Sequence, residues 1–554
     1  MMFDYPELVA QLALYMSPQD LARCSATCKS FASLFEPYLY RHVTLNSKES
    51  ILPIPRQYTQ HIRTLVVNGR DVEGCLEALA QVLSSTKANA TLSTTADNPM
   101  IMRNLKKLVI NSTCYEAKRY STVALNTVIG ILNHNCGIIH LEIQMHTVLE
   151  DTSIDTRLLE SIRTGLPRLQ RLIITGGDAF PVAQAMEALK VCLGHPSLTD
   201  VQFYTQEERQ FHWRQTDYND MTPFESLLEY LNELDSACEQ IQGVKGSRLT
   251  SLALPHIPGG HPRSFLLPLL RTYLPLLKRF QIPKLNWSYE GELEEVIAGH
   301  CRNLQHISYT FPEYERYHDS RPIKAAIRGC ARWSGLKSIR VFGYNYDSDR
   351  DSRRGLFETM VEYHSKTLES VELQEWRRRP EPNELGLIFI GCPNLKSFKV
   401  WPSERLMDNV LYFVDIPAGP WVFQGLKELR LHFSQNEQYP DAERAKHELE
   451  AGRNVFEQIG KLVYLESLAL DYFGDSDHAE NDRSIGAGFV KEIAGLEKLR
   501  YLYMPPRFWD KRHLSTIVDS SWPRLERISV RGYKAMDFRW LKERRPWLKI
   551  GELE

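Results

Sequence analysis

One spacing constrains this chain more than any other feature: apolar-x-x-apolar-x-apolar, recurring from end to end. It stands at Ile62-Leu65-Val67, Leu105-Leu108-Ile110, Ile138-Leu141-Ile143, Leu169-Leu172-Ile174 and Leu198-Val201-Phe203. It continues at Leu249-Leu252-Leu254, Leu277-Phe280-Ile282, Leu304-Ile307-Tyr309, Leu336-Ile339-Val341 and Leu368-Val371-Leu373. Leu395-Phe398-Val400, Leu426-Leu429-Leu431, Leu465-Leu468-Leu470, Leu499-Leu502-Met504 and Leu525-Ile528-Val530 complete the series. One such match arises by chance in any leucine-rich protein. Fifteen in order, mostly 26 to 34 residues apart, define a repeat array. The closing apolar-x-apolar step has period two, so it predicts a short strand with both side chains on one face.

Helical periodicity fills the intervals. Val182, Met186, Leu189 and Leu193 fall on one side of a helix, and the stretch from Val123 to Leu132 reads the same way. One strand and one helix per repeat is the leucine-rich-repeat unit, in which neither element buries its apolar face without a neighbour. The expected architecture is an α/β horseshoe solenoid, with a parallel concave sheet and convex helices. It covers residues 46–554 in about fifteen units. Cys136, Cys301 and Cys392 stand two or three residues before a strand's first apolar position, where a thiol is expected to fill the helix-to-strand corner. Two intervals are longer than the rest: a polar insertion near 205–224, and a smaller one over 434–441. The segment 474–484 is acidic and turn-rich.

Composition narrows the function classes. At 554 residues the chain exceeds one ordinary core, and its 43% hydrophobic and 25% charged residues are those of a folded protein. A formal net charge of −2 gives no general attraction to nucleic acid or to an anionic membrane. The ten cysteines include no CxxC pair, so neither a zinc site nor a disulfide scaffold is expected, and free thiols in a reducing compartment are. No stretch reaches the length of a membrane span, and Asp4 and Glu7 stand where a secretory leader carries basic residues. These features predict an intracellular protein, cytoplasmic or nuclear.

The first forty-five residues, 1–45, form a different module. Asp4 and Glu7 have capping-box spacing around Pro6, and Leu8, Leu12, Tyr15 and Met16 follow one helical face. Ser17-Pro18-Gln19-Asp20 starts a second helix, from which Leu21, Cys24 and Cys28 continue one face; Phe31, Leu34, Phe35 and Leu39 belong to a third. A bundle this small needs another surface to lean on. "RHVTL" at 41–45 has strand character and is expected to begin the sheet.

Residues 4–45 resemble the F-box, whose pattern is Leu-Pro-x-Glu-Leu/Ile, an apolar helix, a Pro-x-Asp-Leu turn and Val-Cys-Lys-x-Trp. Pro6, Glu7, Leu8, Asp20, Leu21, Cys28 and Lys29 occupy family positions; Tyr5, Met16, Thr27 and Phe31 depart from it. With a repeat array behind it, the chain is similar to the F-box and leucine-rich-repeat proteins of fungi. The resemblance implies docking on a Skp-type adaptor and, through it, a cullin-RING ubiquitin ligase of the SCF type. The implied adaptor contacts are Pro6, Leu8, Leu21, Cys24, Cys28 and Phe31, while Leu12, Leu34 and Phe35 are expected to hold the helices together.

No catalytic constellation, phosphate-binding glycine loop or metal-ligand set is evident, so the expectation is a non-catalytic protein without cofactors. Nucleic acid and membrane are not expected partners. Early strands carry small or polar residues on the solvent side, such as Thr64, Asn68 and Asn111. Later strands carry aromatic and charged residues: Arg340, Phe342, Tyr344, Gln374, Trp376, Lys399, Trp401, Arg430, His432, Tyr472 and Tyr503. That mixture is typical of protein-binding hot spots, so these residues are the expected contacts for an unknown substrate protein. The alternative reading is a leucine-rich-repeat interaction scaffold without a ligase role.

Overall fold

The structure, a computed structural model, describes residues 6–47, 56–69, 71–84, 104–112, 122–145, 152–176, 182–205, 247–254, 266–282, 290–311, 320–343, 350–376, 382–402, 419–434, 442–473, 491–503, 522–529 and 539–551, with a few single positions between. The insertion near 205–224 and the segments 435–441 and 474–484 lie outside them. The chain forms two compact units, Met1–Leu276 and Leu277–Glu554.

The first unit opens with three helices, α1 (Pro6–Tyr15), α2 (Pro18–Thr27) and α3 (Lys29–Leu39). Ser17 caps α2, its hydroxyl accepting the Asp20 N–H at 3.2 Å and donating to the Asp20 carboxylate at 2.7 Å. That hydrogen bond holds the Asp20 carboxyl below its ordinary range. Val9, Ala13, Leu21 and Phe35 form the bundle's core, with Met16, Cys24, Phe31, Leu34, Tyr38 and Leu39 packed around it. Cys28 does not continue the α2 face. It is an extended residue (φ −162°) between α2 and α3, and it is exposed.

From α3 the chain passes through Tyr40 and Arg41 into β1 (His42–Leu45), the expected first strand, which pairs in parallel with β2 (Thr64–Gly69). The Arg41 carbonyl accepts two N–H groups, from Arg63 at 2.9 Å and Thr64 at 3.0 Å. A 3-10 turn at Arg56–His61 packs against α3. The bundle is therefore joined to the sheet by main-chain bonds and packing.

β3 (Lys107–Ser112), β4 (His140–Met145), β5 (Arg171–Gly176), β6 (Asp200–Thr205) and β7 (Ser251–Ala253) continue the parallel sheet of the first unit. The second unit holds β8 (Arg279–Ile282), β9 (His306–Thr310), β10 (Ser338–Phe342), β11 (Ser370–Trp376) and β12 (Ser397–Pro402). β13 (Glu428–Ser434), β14 (Ser467–Phe473), β15 (Tyr501–Tyr503), β16 (Arg527–Ser529) and β17 (Lys549–Gly551) follow, each paired in parallel with its predecessor. Every one of the fifteen spacings falls on a strand, from β2 to β16. β17 has no complete spacing of its own and was not foreseen.

Helices alternate with the strands, among them Val72–Ser84, Thr122–His134, Val182–Leu193, Arg321–Cys330 and Ala442–Gly460. Each array is thus a leucine-rich-repeat fold. Its core lies between sheet and helices: Leu108, Ile110, Leu429 and Leu431 are buried from the strand side, and Leu132, Met186 and Leu189 from the helix side. Each such side chain contributes about 1.5–3 kcal/mol by leaving water. Val123, expected on the core face, is exposed at the start of its helix.

Neighbouring repeats share one main-chain device. The carbonyl just before a strand accepts two successive N–H groups of the next repeat: Lys337 from Glu369 and Ser370, Lys427 from Glu466 and Ser467. Of the corner cysteines, Cys301 and Cys392 are buried as expected, and burial pushes both thiols up to about 12. Cys136 is exposed. The corner before β4 is occupied instead by its neighbour Asn135, whose amide donates to the Ile131 carbonyl at 2.7 Å.

Candidate functional site

Two surfaces carry the residues singled out above. The first is α1. Its core-facing positions are Val9 and Ala13, small enough to let α1 close on the other two helices. The opposite side is also apolar: Leu8 is 48% exposed, Leu12 37% and Tyr15 87%. These three stand at i, i+4 and i+7 and form one stripe, while Leu14 is exposed on another side of the helix. Exposed apolar residues on adjacent helical turns mark a docking face more than a fold requirement.

The expected adaptor contacts divide accordingly. Leu8 lies on the stripe and Cys28 is exposed, whereas Leu21 is 6% exposed and belongs to the bundle core. Cys24 and Phe31 are half-buried against that core, and the Phe31 and Phe35 rings lie 5.7 Å apart. The Pro6 side chain lies outside the described residues. Leu12, expected to hold the bundle together, faces outward instead, while Leu34 and Phe35 pack inward. Sequence periodicity put Leu8, Leu12, Tyr15 and Met16 on one face; the first three share the outer stripe, whereas Met16 packs against the bundle core.

The second surface is the solvent face of β10 to β13. The Arg340 guanidinium lies 4.4 Å from the Phe342 ring centre and 3.2 Å from the Glu372 carboxylate. Gln374 donates its amide to Glu372 and is itself buried. Lys399 pairs with Glu428 at 2.7 Å, and the Ser397 hydroxyl donates to the same carboxylate at 3.1 Å. Register places Arg430 beside Lys399. The face is therefore not a basic patch. Glu372 and Glu428 neutralise Arg340 and Lys399, and neither acid was among the expected residues.

His432 and Tyr503 are nearly buried rather than presented to solvent. Trp376, Trp401 and Tyr472 occupy strand backbone positions, but their side chains, like the whole of Tyr344, lie outside the described residues. In the first unit the face is less polar than expected, since Val66 and Val109 stand side by side on it and Ile173 sits between Glu142 and Gln202. Among the described residues, no cluster of three His, Cys, Asp or Glu side chains could hold a metal ion, and no helix is long and apolar enough to cross a membrane.

Comparison with known proteins addresses the bundle directly: the F-box-like family model matches residues 6–46. The N-terminal module is an F-box-like domain. It comprises α1 to α3 and β1, so its last element is already a strand of the repeat sheet. No curated protein matches the chain. Among solved structures, a chain of the yeast Rad7 and Elc1 complex is similar over 86% of this chain and 87% of its own, at 15% identity and a TM-score of 0.34. A protein from Bacteroides fragilis is similar over 50% of this chain and 74% of its own, at 14% identity and a TM-score of 0.26.

Proposed function

We propose that this chain is a non-catalytic substrate-recognition subunit of an SCF-type ubiquitin ligase. The F-box-like domain docks on a Skp-type adaptor, and through it on a cullin-RING ligase, while the repeats hold a substrate protein. The observation that carries this reading is the exposed stripe Leu8, Leu12 and Tyr15, on the first helix of a domain that matches the F-box-like family. Apolar side chains left open by a three-helix bundle find their missing neighbours on another protein. The solvent face of β10 to β13 supports the receptor half, since its paired charges with Phe342 suit a mixed polar and aromatic interface. A receptor of this kind acts in the cytoplasm or the nucleus.

Co-purification with a Skp-type adaptor tests the reading. Wild type is expected to retain the adaptor, and Leu8→Asp combined with Tyr15→Asp to lose it by about tenfold or more with helix content unchanged. Leu21→Asp should instead unfold the bundle, because it puts a carboxylate among Val9, Ala13 and Phe35. Failure of wild type to bind, or full retention by the Leu8/Tyr15 variant, would leave the repeat array as an interaction scaffold without ligase role.

A further inference from the structure

The last four strands carry a separate surface on the rim where the chain enters them. The residues just before β14 to β17 are Val463 and Tyr464, Glu497 and Lys498, Pro523 and Arg524, and Pro546 and Trp547. Val463 is 54% exposed, Tyr464 48% and Trp547 64%, and Tyr501 at the start of β15 is exposed beside them. Main-chain bonds from Arg500 N to Glu466 O, Glu526 N to Arg500 O and Lys549 N to Glu526 O set these rows side by side.

Charge on the rim is asymmetric. Two carboxylates are already satisfied: Glu526 accepts Arg500 at 2.7 Å and the Tyr501 hydroxyl at 3.3 Å, and Glu466 pairs with Lys427 at 3.3 Å. In all, the rows hold five cations, Lys498, Arg500, Arg524, Arg527 and Lys549, with three acids, Glu466, Glu497 and Glu526. The Lys498 ammonium lies 3.9 Å from the Tyr464 ring centre, so an exposed aromatic face and a cation are offered together.

We propose that this rim binds an extended acidic segment of a partner protein. The segment's carboxylates lie against Lys498 and Arg524, and its apolar ends against Tyr464 and Trp547. Four rows at strand spacing span about 14 Å, the length of about four extended residues. A single nucleic-acid strand would also meet cations and rings. Val463, Pro523 and Pro546 on the same rows, however, offer exposed apolar surface that suits a peptide's side chains better than phosphates. The rim lies apart from the sheet-face residues Arg340 to His432, and its binding does not depend on adaptor docking.

The test is fluorescence anisotropy on the full chain, with a labelled peptide whose Glu-Asp-Glu core is flanked by leucines. Wild type should bind it in a salt-sensitive manner and should ignore the same peptide with a lysine core. Lys498→Glu with Arg524→Glu should weaken binding at least about tenfold, and Trp547→Ala at least about threefold, with the melting curve unchanged. If the charge-reversed pair melts early, Trp547→Ala alone decides, since that side chain is mostly in solvent. The proposal is overturned if wild type does not bind the acidic peptide, if the stable variants bind it as wild type does, or if labelled oligouridylate binds as tightly as the peptide.

Discussion

His364 shows how much one buried side chain settles. Its Nε2–H donates to the Ile327 carbonyl at 2.7 Å, and its Nδ1 accepts the Leu336 N–H at 3.1 Å, so it ties the end of one repeat to the strand of another. The Leu336 N–H requires an unprotonated Nδ1, and burial holds the pKa below the ordinary 6.5. His195 repeats the arrangement, accepting from Ser197 N and bonding to the Leu166 carbonyl, and burial lowers its pKa as well. A depressed histidine pKa contributes stability that is complete above 6.5 and is lost as pH falls toward the folded-state value. The urea midpoint of the chain is expected to drop as pH goes below 6.5, and His364→Gln should flatten that dependence. The thiols give a second check at this scale. Alkylation of the native chain should label Cys28 and Cys136 quickly among the described cysteines, and Cys301 and Cys392 only on unfolding. Mass spectrometry of timed digests reads that order. Neither histidine role was legible beforehand, because each depends on a carbonyl 29 or 37 residues away in sequence.

Strands were the most legible elements and helix faces the least, for a physical reason. A period-two step flanked by a fixed leucine leaves one way to bury both side chains. Leu429→Ala, which empties a fully buried strand position, should therefore cost about 2–5 kcal/mol in urea unfolding. In α1 the sequence LVAQLALY is apolar on both sides of the helix, so periodicity finds two stripes and cannot choose the inner one. Size decided it: Val9 and Ala13 fit the bundle, and Leu8, Leu12 and Tyr15 remained outside. The solvent face of the strands was only half legible. Cations and aromatics stood out, but their pairing with Glu372 and Glu428 follows from register, which relates residues some thirty positions apart. A double-mutant cycle on Arg340 and Glu372 should give about 0–1 kcal/mol, since both side chains remain partly in water. A larger coupling would make that pair structural and remove it from the proposed binding surface.

Across the whole chain, the repeat was visible because it is written many times, and the exposed faces proposed for docking were only partly so because each is written once. The division at Leu276 and Leu277 had no counterpart in the spacing, which runs on through it. The F-box-like domain was legible from its turn residues, yet its attachment through Tyr40 and Arg41 emerged only with the pairing of β1. The carbonyl shared between repeats at Lys337 and at Lys427 has a further consequence. Because the joint between Lys337 and Glu369 or between Lys427 and Glu466 is made by peptide groups, half-exposed pairs on the open face such as Arg340 with Glu372 add little to holding repeats together. Over evolutionary time those positions can drift, duplicate or be reselected without dismantling the array. A lineage can therefore change what the open face offers while inheriting the same backbone and the same F-box-like domain.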